Sequence, residues 1–211
     1  RAEREDTINF VTFVVNTDGG GGILQTAANA DNGGIMEDIE KTIHWLGHAS
    51  FRLENTAGTV VYIDPYNLKE QSKKADVLLI THPHFDHFSP ADIVKVVKAT
   101  TKIFGPEALA GKVQGDFTAL KPGEKAEAAG VAVEAVSAYN TDKNFHPKAS
   151  GFLGFVVKVG ELRIYHAGDT DLTEEMRKVK ADVVLLPVGG TYTMDAHDAC
   201  EAALAIKPAL A

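Results

Sequence analysis

ADVLLITHPHFDHFSP, residues 75 to 90, joins a continuous apolar run to a cluster of histidines and then to the start of a helix. An apolar run of this length is typical of a strand that is buried on both faces. Ser89 suits a helix N-cap, Pro90 suits the first helical position and Asp92 suits the first turn. The sequence therefore predicts that the histidine cluster lies between the end of a buried strand and the start of a helix.

The cluster itself, HPHFDH, places three histidines and an aspartate close together. Crowded imidazoles repel one another when protonated and lose solvation when buried, so a cation is a good reason for gathering them. If the strand stays extended past Thr81, His82 and His84 point the same way and can reach one cation. Asp86 and His87 follow after the chain turns and can serve a second cation. A histidine-rich surface loop is the alternative, which the buried strand and the capped helix disfavour.

Short strand patterns recur on both sides of the cluster. They are TIHWLG, SFRLE and TVVYID before it, and VAVEAV, GFVVKV, LRIYHA and ADVVLLPV after it. Residues 195 to 206 have the pattern of an amphipathic helix. Two strand-rich halves that each carry helices predict an α/β fold, an αββα sandwich of two packed mixed β-sheets with helices on the outer faces.

The first 40 residues differ in character from the remainder of the chain. Glycine-rich stretches between residues 16 and 34 indicate a loop or linker, because glycine clusters cost too much backbone entropy in regular elements. INFVTFVV, residues 8 to 15, alternates like a strand and follows acidic residues, which is unlike a signal peptide. We therefore divide the chain into an N-terminal appendage with a Gly-rich linker, residues 1 to 40, and a domain, residues 41 to 211.

Composition and charge narrow the class of partner. The formal net charge is -8 and the basic residues are scattered, so the attractive field that nucleic acid requires is missing. No run approaches the ~20 apolar residues of a membrane-spanning helix. We expect a cytoplasmic protein that acts on a small molecule, and we leave open a processed N-terminus and a homo-oligomer. The single cysteine, Cys200, lies in a helical pattern and is expected to be a buried or half-buried structural thiol.

The order HxHxDH after an apolar strand resembles the signature of the metallo-β-lactamase superfamily. TVVYIDPY resembles the early aspartate motif of that superfamily at Asp64, and HAGDT resembles its later aspartate motif at Asp169. More narrowly, WLGHASF, FHPKASGFLGFV and LLPVGGTYTM resemble a family of small metal-dependent hydrolases that includes L-ascorbate-6-phosphate lactonase. The resemblance covers residues 41 to 211, which implies a metallo-β-lactamase-like hydrolase domain.

The resemblance implies two divalent cations, with zinc as the first expectation and manganese or iron as alternatives. The implied ligands are His82, His84 and His146 for the first cation, Asp86 and His87 for the second, and Asp169 between the two. Asp64 would hold a ligand imidazole in its correct tautomer. From the residues alone, His146 is equally well explained as a solvated loop histidine, and a turn aspartate is the default interpretation of Asp169.

The family pattern also contains a further histidine after the LLPVGGTYTM segment and its helix. The present sequence has none after His197, which is itself expected to be a solvated helix residue. The resemblance therefore implies a second cation with an incomplete ligand set, and a fold that lacks its closing strand and helix, unless the natural chain is longer.

A binuclear metal centre implies hydrolysis of a small ester, lactone or phosphoester by a metal-activated hydroxide, with Asp86 orienting the nucleophile. His48 is a candidate for substrate contact or proton transfer, with a hydrogen-bonding role in its loop as the alternative. Tyr192 is a candidate donor to the substrate or leaving group, with a packing role as the alternative. Lys143 and Lys148 could bind a phosphate, although two lysines in a loop are more often solvated. The alternative function is a catalytically impaired metal-binding or scaffold protein that retains the fold.

Overall fold

The computed structural model describes residues 33 to 69 and 72 to 211, and this part of the chain forms two β-sheets with helices outside them. The helices are α1 (Gly33–Thr42), α2 (Pro90–Val96) and α3 (Ala196–Ile206). The first sheet contains β1 (Ile43–Gly47), β2 (Ser50–Glu54), β3 (Val60–Ile63), β4 (Val77–Leu79), β5 (Lys102–Gly105) and β6 (Asp116–Ala119). The second contains β7 (Lys125–Ala128), β8 (Val131–Ser137), β9 (Leu153–Val159), β10 (Leu162–His166) and β11 (Val183–Leu185).

Both sheets are mixed. The first has the order β1-β2-β3-β4-β5-β6, antiparallel from β1 to β3 and parallel from β3 to β6. The second has the order β11-β10-β9-β8-β7 and is antiparallel except for the β10–β11 pair. Because β3 and β4 are parallel, their carboxyl ends meet at one edge of the first sheet, where functional groups of open sheets commonly lie.

Alternation along the strands produces the layers. Val61 and Leu79 face the core between the two sheets, whereas Tyr62 and Leu78, their neighbours in sequence, pack in a second cluster with Ile93 of α2. On the other sheet, Tyr165 and Val184 pack outward with residues of α3. Each buried side chain of this size contributes about 1.5–3 kcal/mol to folding. The αββα sandwich predicted from the sequence is confirmed.

Three strands have no counterpart among the predicted ones. β6 and β7, DFTA and KAEA, alternate between exposed and half-buried residues and lack an apolar run. β5, KIFG, is buried at three of its four positions. These short segments become strands because neighbouring strands pair with them, which is a tertiary effect that outweighs weak local preference.

The predicted boundary at residue 41 lies inside α1. This helix packs against β1 and β2, and Ile39 on it is buried in the core between the sheets. Ile39, which precedes the predicted boundary, is therefore packed with the domain. Residues 1 to 32, which include the remainder of the predicted appendage and the strand pattern at 8 to 15, lie outside the described residues.

The cysteine prediction is wrong. Cys200 is exposed on α3, because the face of this helix that packs inward is formed by Ala199, Ala202, Ala203 and Ile206. Within residues 33 to 69 and 72 to 211, no helix is both long enough and apolar enough to cross a membrane.

Candidate metal centre

Asp64 connects the end of β3 to the segment that follows β4. Its buried carboxylate accepts hydrogen bonds from the Thr81 amide at 2.8 Å, from Thr81 Oγ1 at 2.6 Å and from His87 Nδ1 at 2.7 Å. The backbone of Asp64 is left-handed with φ 45°, a conformation in which aspartate is found more often than most residues. Since a carboxylate only accepts, Nδ1 of His87 carries a proton, and Nε2 is the nitrogen that faces the interior of the cluster.

The negative charges of neighbouring carboxylates favour a positive charge on or beside the His87 imidazole. Burial by itself lowers the pKa of this imidazole, but the Asp64 and Asp169 carboxylates outweigh burial and raise the pKa to about 10. Nε2 lies 3.3 Å from Asp169 Oδ1 and 3.9 Å from Asp86 Oδ2. A cation bound at Nε2 would take the place of the second proton, because metal ligation requires the neutral imidazole.

His82, unlike His87, is held in its neutral form. Thr81 Oγ1 lies 2.9 Å from His82 Nδ1, and because the hydroxyl donates its own proton to Asp64, it accepts one from Nδ1. Burial, together with the charge of His87, keeps the pKa of His82 well below its usual value, although Asp169 opposes this. His82 is thus neutral, with the lone pair of Nε2 directed toward the cluster.

His146 arrives from a distant part of the chain, 62 residues after His84. Asn140 Oδ1 accepts hydrogen bonds from the His146 amide at 2.9 Å and from Nδ1 at 3.1 Å. Nε2 therefore carries the lone pair, and it lies 3.2 Å from His84 Nδ1 and 3.5 Å from Asp169 Oδ2. Burial lowers the pKa of His146 despite the nearby Asp169 carboxylate, so this imidazole is also neutral.

One nitrogen from each of His82, His84 and His146 lies within 4.8 Å of the others. Nitrogen ligands at 2.0–2.1 Å around a tetrahedral ion are about 3.3 Å apart, close to the 3.2 Å between His84 and His146. The structure thus brings together the three histidines predicted for a first cation. The turn expected before Asp86 and His87 begins at His84, whose carbonyl accepts from the amides of His87 and Phe88.

Asp169 stands between two groups of donors. Besides its contact with His87, its Oδ2 lies 3.5 Å from His146 Nε2 and 4.0 Å from His82 Nε2. Burial raises the pKa of this carboxyl, but the His87 imidazole, whose Nε2 lies 3.3 Å away, outweighs burial and holds the pKa far below the usual value. Asp169 is therefore ionised and lies beside nitrogen atoms of both donor groups, while its role between two cations stays a prediction.

Asp86, His87 and His48 form a further group whose donor atoms lie within 4.8 Å of one another. His48 Nε2 donates to Asp86 Oδ2 at 3.0 Å, and Trp45 Nε1 donates to the His48 carbonyl at 2.8 Å, which supports the left-handed backbone of His48 at φ 49°. Burial raises the pKa of Asp86, but the hydrogen bond from His48 and the charge of His87 bring it below the usual value.

The donor set fits divalent cations. Nε2 of His82 and Nε2 of His87 are both buried without a hydrogen-bond partner among the described residues. Buried polar atoms are almost always paired, so two such atoms beside an ionised carboxylate indicate a group that the protein itself does not supply. Neutral imidazoles and carboxylates, with no thiolate among them, suit zinc, manganese or iron.

The turn that carries Asp169 is held in place by close packing of its backbone against β9. A Cβ at Gly168, whose φ is 65°, would lie 2.8 Å from the Leu153 carbonyl and 3.2 Å from Thr81 Cβ. A Cβ at Gly154 would lie 2.7 Å from the carbonyls of His166 and Ala167. Glycine at both positions lets the turn after β10 approach β9 and the histidine cluster.

Three residues support the centre from outside the donor groups, and two of them, Thr81 and Asn140, were missed by sequence reasoning. Thr81 orients His82 and His87, Asn140 orients His146, and the ring of His166 donates from Nε2 to the Ala49 carbonyl at 2.9 Å while Nδ1 accepts from the Gly168 amide at 3.2 Å. The supporting role of Thr81 could have been predicted from its position directly before the histidine cluster. That of Asn140 could not, because its partners are set only by the fold.

Tyr192 lies beside the centre without entering the donor groups. Its ring is exposed and contacts the ring of Phe145, and its carbonyl accepts from Asn140 Nδ2 at 2.9 Å. Tyr192, His48, Asp86 and Asp169 line one cavity. The structure thus brings all the predicted site residues to one place, while the roles assigned to them remain predictions.

Residues 42 to 211 match the beta-lactamase superfamily domain. The chain belongs to this superfamily. A metal-dependent hydrolase of Thermoplasma acidophilum is 35% identical to this beta-lactamase superfamily member over 191 residues, covering 83% of this chain and 82% of the relative. A metal-dependent hydrolase of Archaeoglobus fulgidus is 32% identical, with 80% of each chain covered.

Solved structures agree with this assignment. A candidate metal-dependent hydrolase from Parabacteroides distasonis is 33% identical with a TM-score of 0.72, covering 79% of this chain and 78% of the other. A metallo hydrolase from Ignicoccus hospitalis is 28% identical with a TM-score of 0.62 and the same coverage. This superfamily member is therefore a protein of a metal-dependent hydrolase family, with His and Asp groups suited to metal.

Proposed function

We propose that this protein hydrolyses a small ester, lactone or phosphoester with the help of two divalent cations, zinc as the first expectation and manganese or iron as alternatives. The observation that carries the proposal is the pair of unpartnered, buried Nε2 atoms of His82 and His87, 4.0 and 3.3 Å from the Asp169 carboxylate. Bound cations would lower the pKa of a water and polarise the carbonyl or phosphoryl oxygen. A sugar-phosphate lactone, which the sequence resemblance suggests, is one member of this substrate class.

The ligand assignment follows the donor groups. The residues that would hold the first cation are His82, His84 and His146, those for the second are Asp86 and His87, and Asp169 would contact both. The hydrogen bonds that the Nδ1 atoms of His82, His87 and His146 donate to Thr81, Asp64 and Asn140 leave the Nε2 atoms of these imidazoles free for ligation. These supporting contacts mean that little reorganisation is needed when metal binds.

Proton transfer is assigned to Asp86 and His48. Asp86 stays ionised near neutral pH because the hydrogen bond from His48 keeps its pKa below the usual value, despite burial. Its carboxylate can accept a hydrogen bond from an attacking water and orient it. His48 Nε2, 3.0 Å from Asp86 Oδ2 on a side chain that is 34% exposed, can exchange a proton with Asp86 and with solvent.

The test measures metal content and hydrolysis together. Full-length protein loaded with zinc or manganese is assayed on p-nitrophenyl esters, alkyl lactones and p-nitrophenyl phosphodiesters. We expect close to two metal equivalents in the wild type, and loss of both metal and activity in His84→Ala, whose side chain is exposed and contributes little to the core. His197→Ala, an exposed histidine of α3, is the matched control and should keep both. Full activity in both His84→Ala and Asp86→Ala would refute the proposal, whereas metal binding without any turnover would support a catalytically impaired protein.

A further inference from the structure

Exposed aromatic side chains are concentrated around the metal centre. Of the five large apolar side chains exposed within the described residues, three belong to the centre's surroundings: Phe85 at 75%, Phe145 at 50% and Tyr192 at 53%. Phe85 lies between His84 and Asp86 in sequence, and Phe145 directly precedes His146. Solvent-exposed aromatic surface is costly to maintain, and its clustering at one place marks a binding surface. We call these three residues the aromatic rim.

The rim adjoins both donor groups. Phe145 and Tyr192 meet edge to face with ring centroids 4.5 Å apart, next to His146. Phe85 contacts Tyr66 at 6.2 Å, and Tyr66 in turn contacts His48 at 5.9 Å. A substrate bound at the cations would therefore meet aromatic side chains beside each of them.

A largely apolar cavity adjoins the centre. Its volume is about 130 Å³, and His48, Asp86 and Asp169 are among the residues that line it. Its apolar lining is Ala49, Phe51, Leu185, Leu186, Pro187 and Val188. A dry cavity of roughly 150 Å³ with such a lining holds a benzene ring, so this cavity suits an alkyl or aryl group.

Among the residues that the structure describes, this cavity has no basic side chain that could bind a phosphate group of the substrate away from the metal site. Its lining, drawn from the described part of the chain, contains no lysine or arginine. The two lysines that flank His146 are paired with carboxylates: Lys143 Nζ lies 2.6 Å from Asp171 Oδ1, and Lys148 Nζ lies 2.7 Å from Glu175 Oε1. A phosphate held in this cavity would meet no lysine or arginine of the described lining, and one held beside His146 would compete with these carboxylates for Lys143 and Lys148.

We propose that the substrate is an uncharged carboxylic ester or lactone whose apolar acyl or aryl group is held by the aromatic rim and the cavity, rather than a phosphorylated compound. This rests on the proposed hydrolysis and narrows its substrate class. One water is consumed: its oxygen bonds to the acyl carbon, the acyl carbon–oxygen bond breaks, and the departing oxygen takes up a proton. The products are a carboxylic acid and an alcohol, or one hydroxy acid from a lactone.

The first experiment varies the substrate on the metal-loaded full chain. We expect kcat/KM to rise about tenfold or more from p-nitrophenyl acetate to p-nitrophenyl hexanoate, because the longer acyl chain enters the cavity. We expect p-nitrophenyl phosphate and bis(p-nitrophenyl) phosphate to be poorer substrates than the hexanoate. Ester hydrolysis that is independent of chain length, or a preference for the phosphates, would overturn this inference and leave the hydrolase proposal intact.

The second experiment tests the rim directly. Phe85→Ala and Phe145→Ala should raise KM for the hexanoate about tenfold and change KM for the acetate little, with metal content unchanged. The control is Val94→Ala, which removes an equally exposed apolar side chain, 63% exposed on α2, and should alter neither. Binding of the unreactive amide hexananilide, followed by saturation-transfer NMR, gives a readout without turnover. Failure of the wild type to bind it would sink the inference even if no substrate were hydrolysed.

Discussion

Asp64 Oδ2 and His87 Nδ1 lie 2.7 Å apart and fully buried, although 23 residues separate them in sequence. This pair fixes the tautomer of His87 and directs Nε2 toward Asp86 and Asp169. It is the contact through which a residue outside the donor groups controls their geometry. The same carboxylate accepts from Thr81, which orients His82, so Asp64 supports one imidazole in each of two donor groups.

Replacement of Asp64 by asparagine should weaken metal binding. The amide keeps the shape of the side chain and tolerates the left-handed backbone, but it brings no charge to the His87 imidazole. We expect affinity for zinc to fall about 10–100-fold, measured by calorimetric titration of the metal-free protein. Asp116→Asn, which alters an exposed aspartate of β6, is the control and should bind as the wild type does. Equal affinity in Asp64→Asn would show that the pair has no role in ligation.

Substitution His48→Gln should separate proton transfer from metal binding. The glutamine amide can still donate a hydrogen bond to Asp86, but it cannot take up a proton from Asp86 and pass it to solvent. We expect kcat to fall about 10²-fold or more, with the metal content unchanged. Measurement of kcat by substrate titration and of metal by plasma mass spectrometry decides between the two roles. Loss of one metal equivalent would make His48 a ligand and contradict the assignment made above.

Gly168→Ala should disturb the Asp169 turn. The residue has a left-handed backbone, and its Cβ would lie against the Leu153 carbonyl and Thr81. Gly58 offers a matched control, because it is also left-handed, with φ 82°, but has open space where its Cβ would stand. We expect Gly58→Ala to lower the free energy of unfolding by about 1–2 kcal/mol. We expect Gly168→Ala to cost about 2 kcal/mol more and to reduce metal affinity, as followed by urea unfolding and metal titration. Equal costs for the two variants would show that the close approach of backbone is not required.

Asp92 should make the stability of the fold depend on pH in the acid range. Its carboxylate accepts from the amides of Asn67 and Leu68, from Ser89 Oγ and from Lys95 Nζ. Burial raises the pKa of Asp92, but these hydrogen bonds outweigh it and lower the pKa below the unfolded value of 3.8. The stabilisation is therefore present above pH 3.8 and is lost as the pH falls through the lower, folded pKa.

The variant Asp92→Asn tests this dependence. We expect a loss of about 1–3 kcal/mol in the free energy of unfolding at pH 7, and a smaller difference from the wild type at pH 2. Urea unfolding at the two pH values measures both quantities. Asp142→Asn, on an exposed side chain, should change neither. A difference that does not shrink in acid would mean that charge on Asp92 is not the source of the stabilisation.

The sequence by itself determined the elements that depend on near neighbours. The buried strand β4, the cap of α2 by Ser89 and the strands β8 to β11 follow from apolar runs, alternation and a capping side chain, all of which act over a few residues. The cluster from His82 to His87 was readable for the same reason. Motif resemblance added His146 and Asp169, whose local sequences are equally compatible with ordinary loops.

Only the tertiary structure decided how these residues meet. The 3.2 Å between His84 and His146 depends on how the two sheets pack, because His84 follows a strand of the first sheet and His146 follows a strand of the second. The pairing of Lys143 with Asp171 depends on how two loops of the second sheet meet. The weak strands β5, β6 and β7 exist because neighbouring strands pair with them. Local preferences are settled within one or two turns of chain. A metal centre requires atoms from distant segments to lie a few ångströms apart, and only the packing of the whole domain sets such separations.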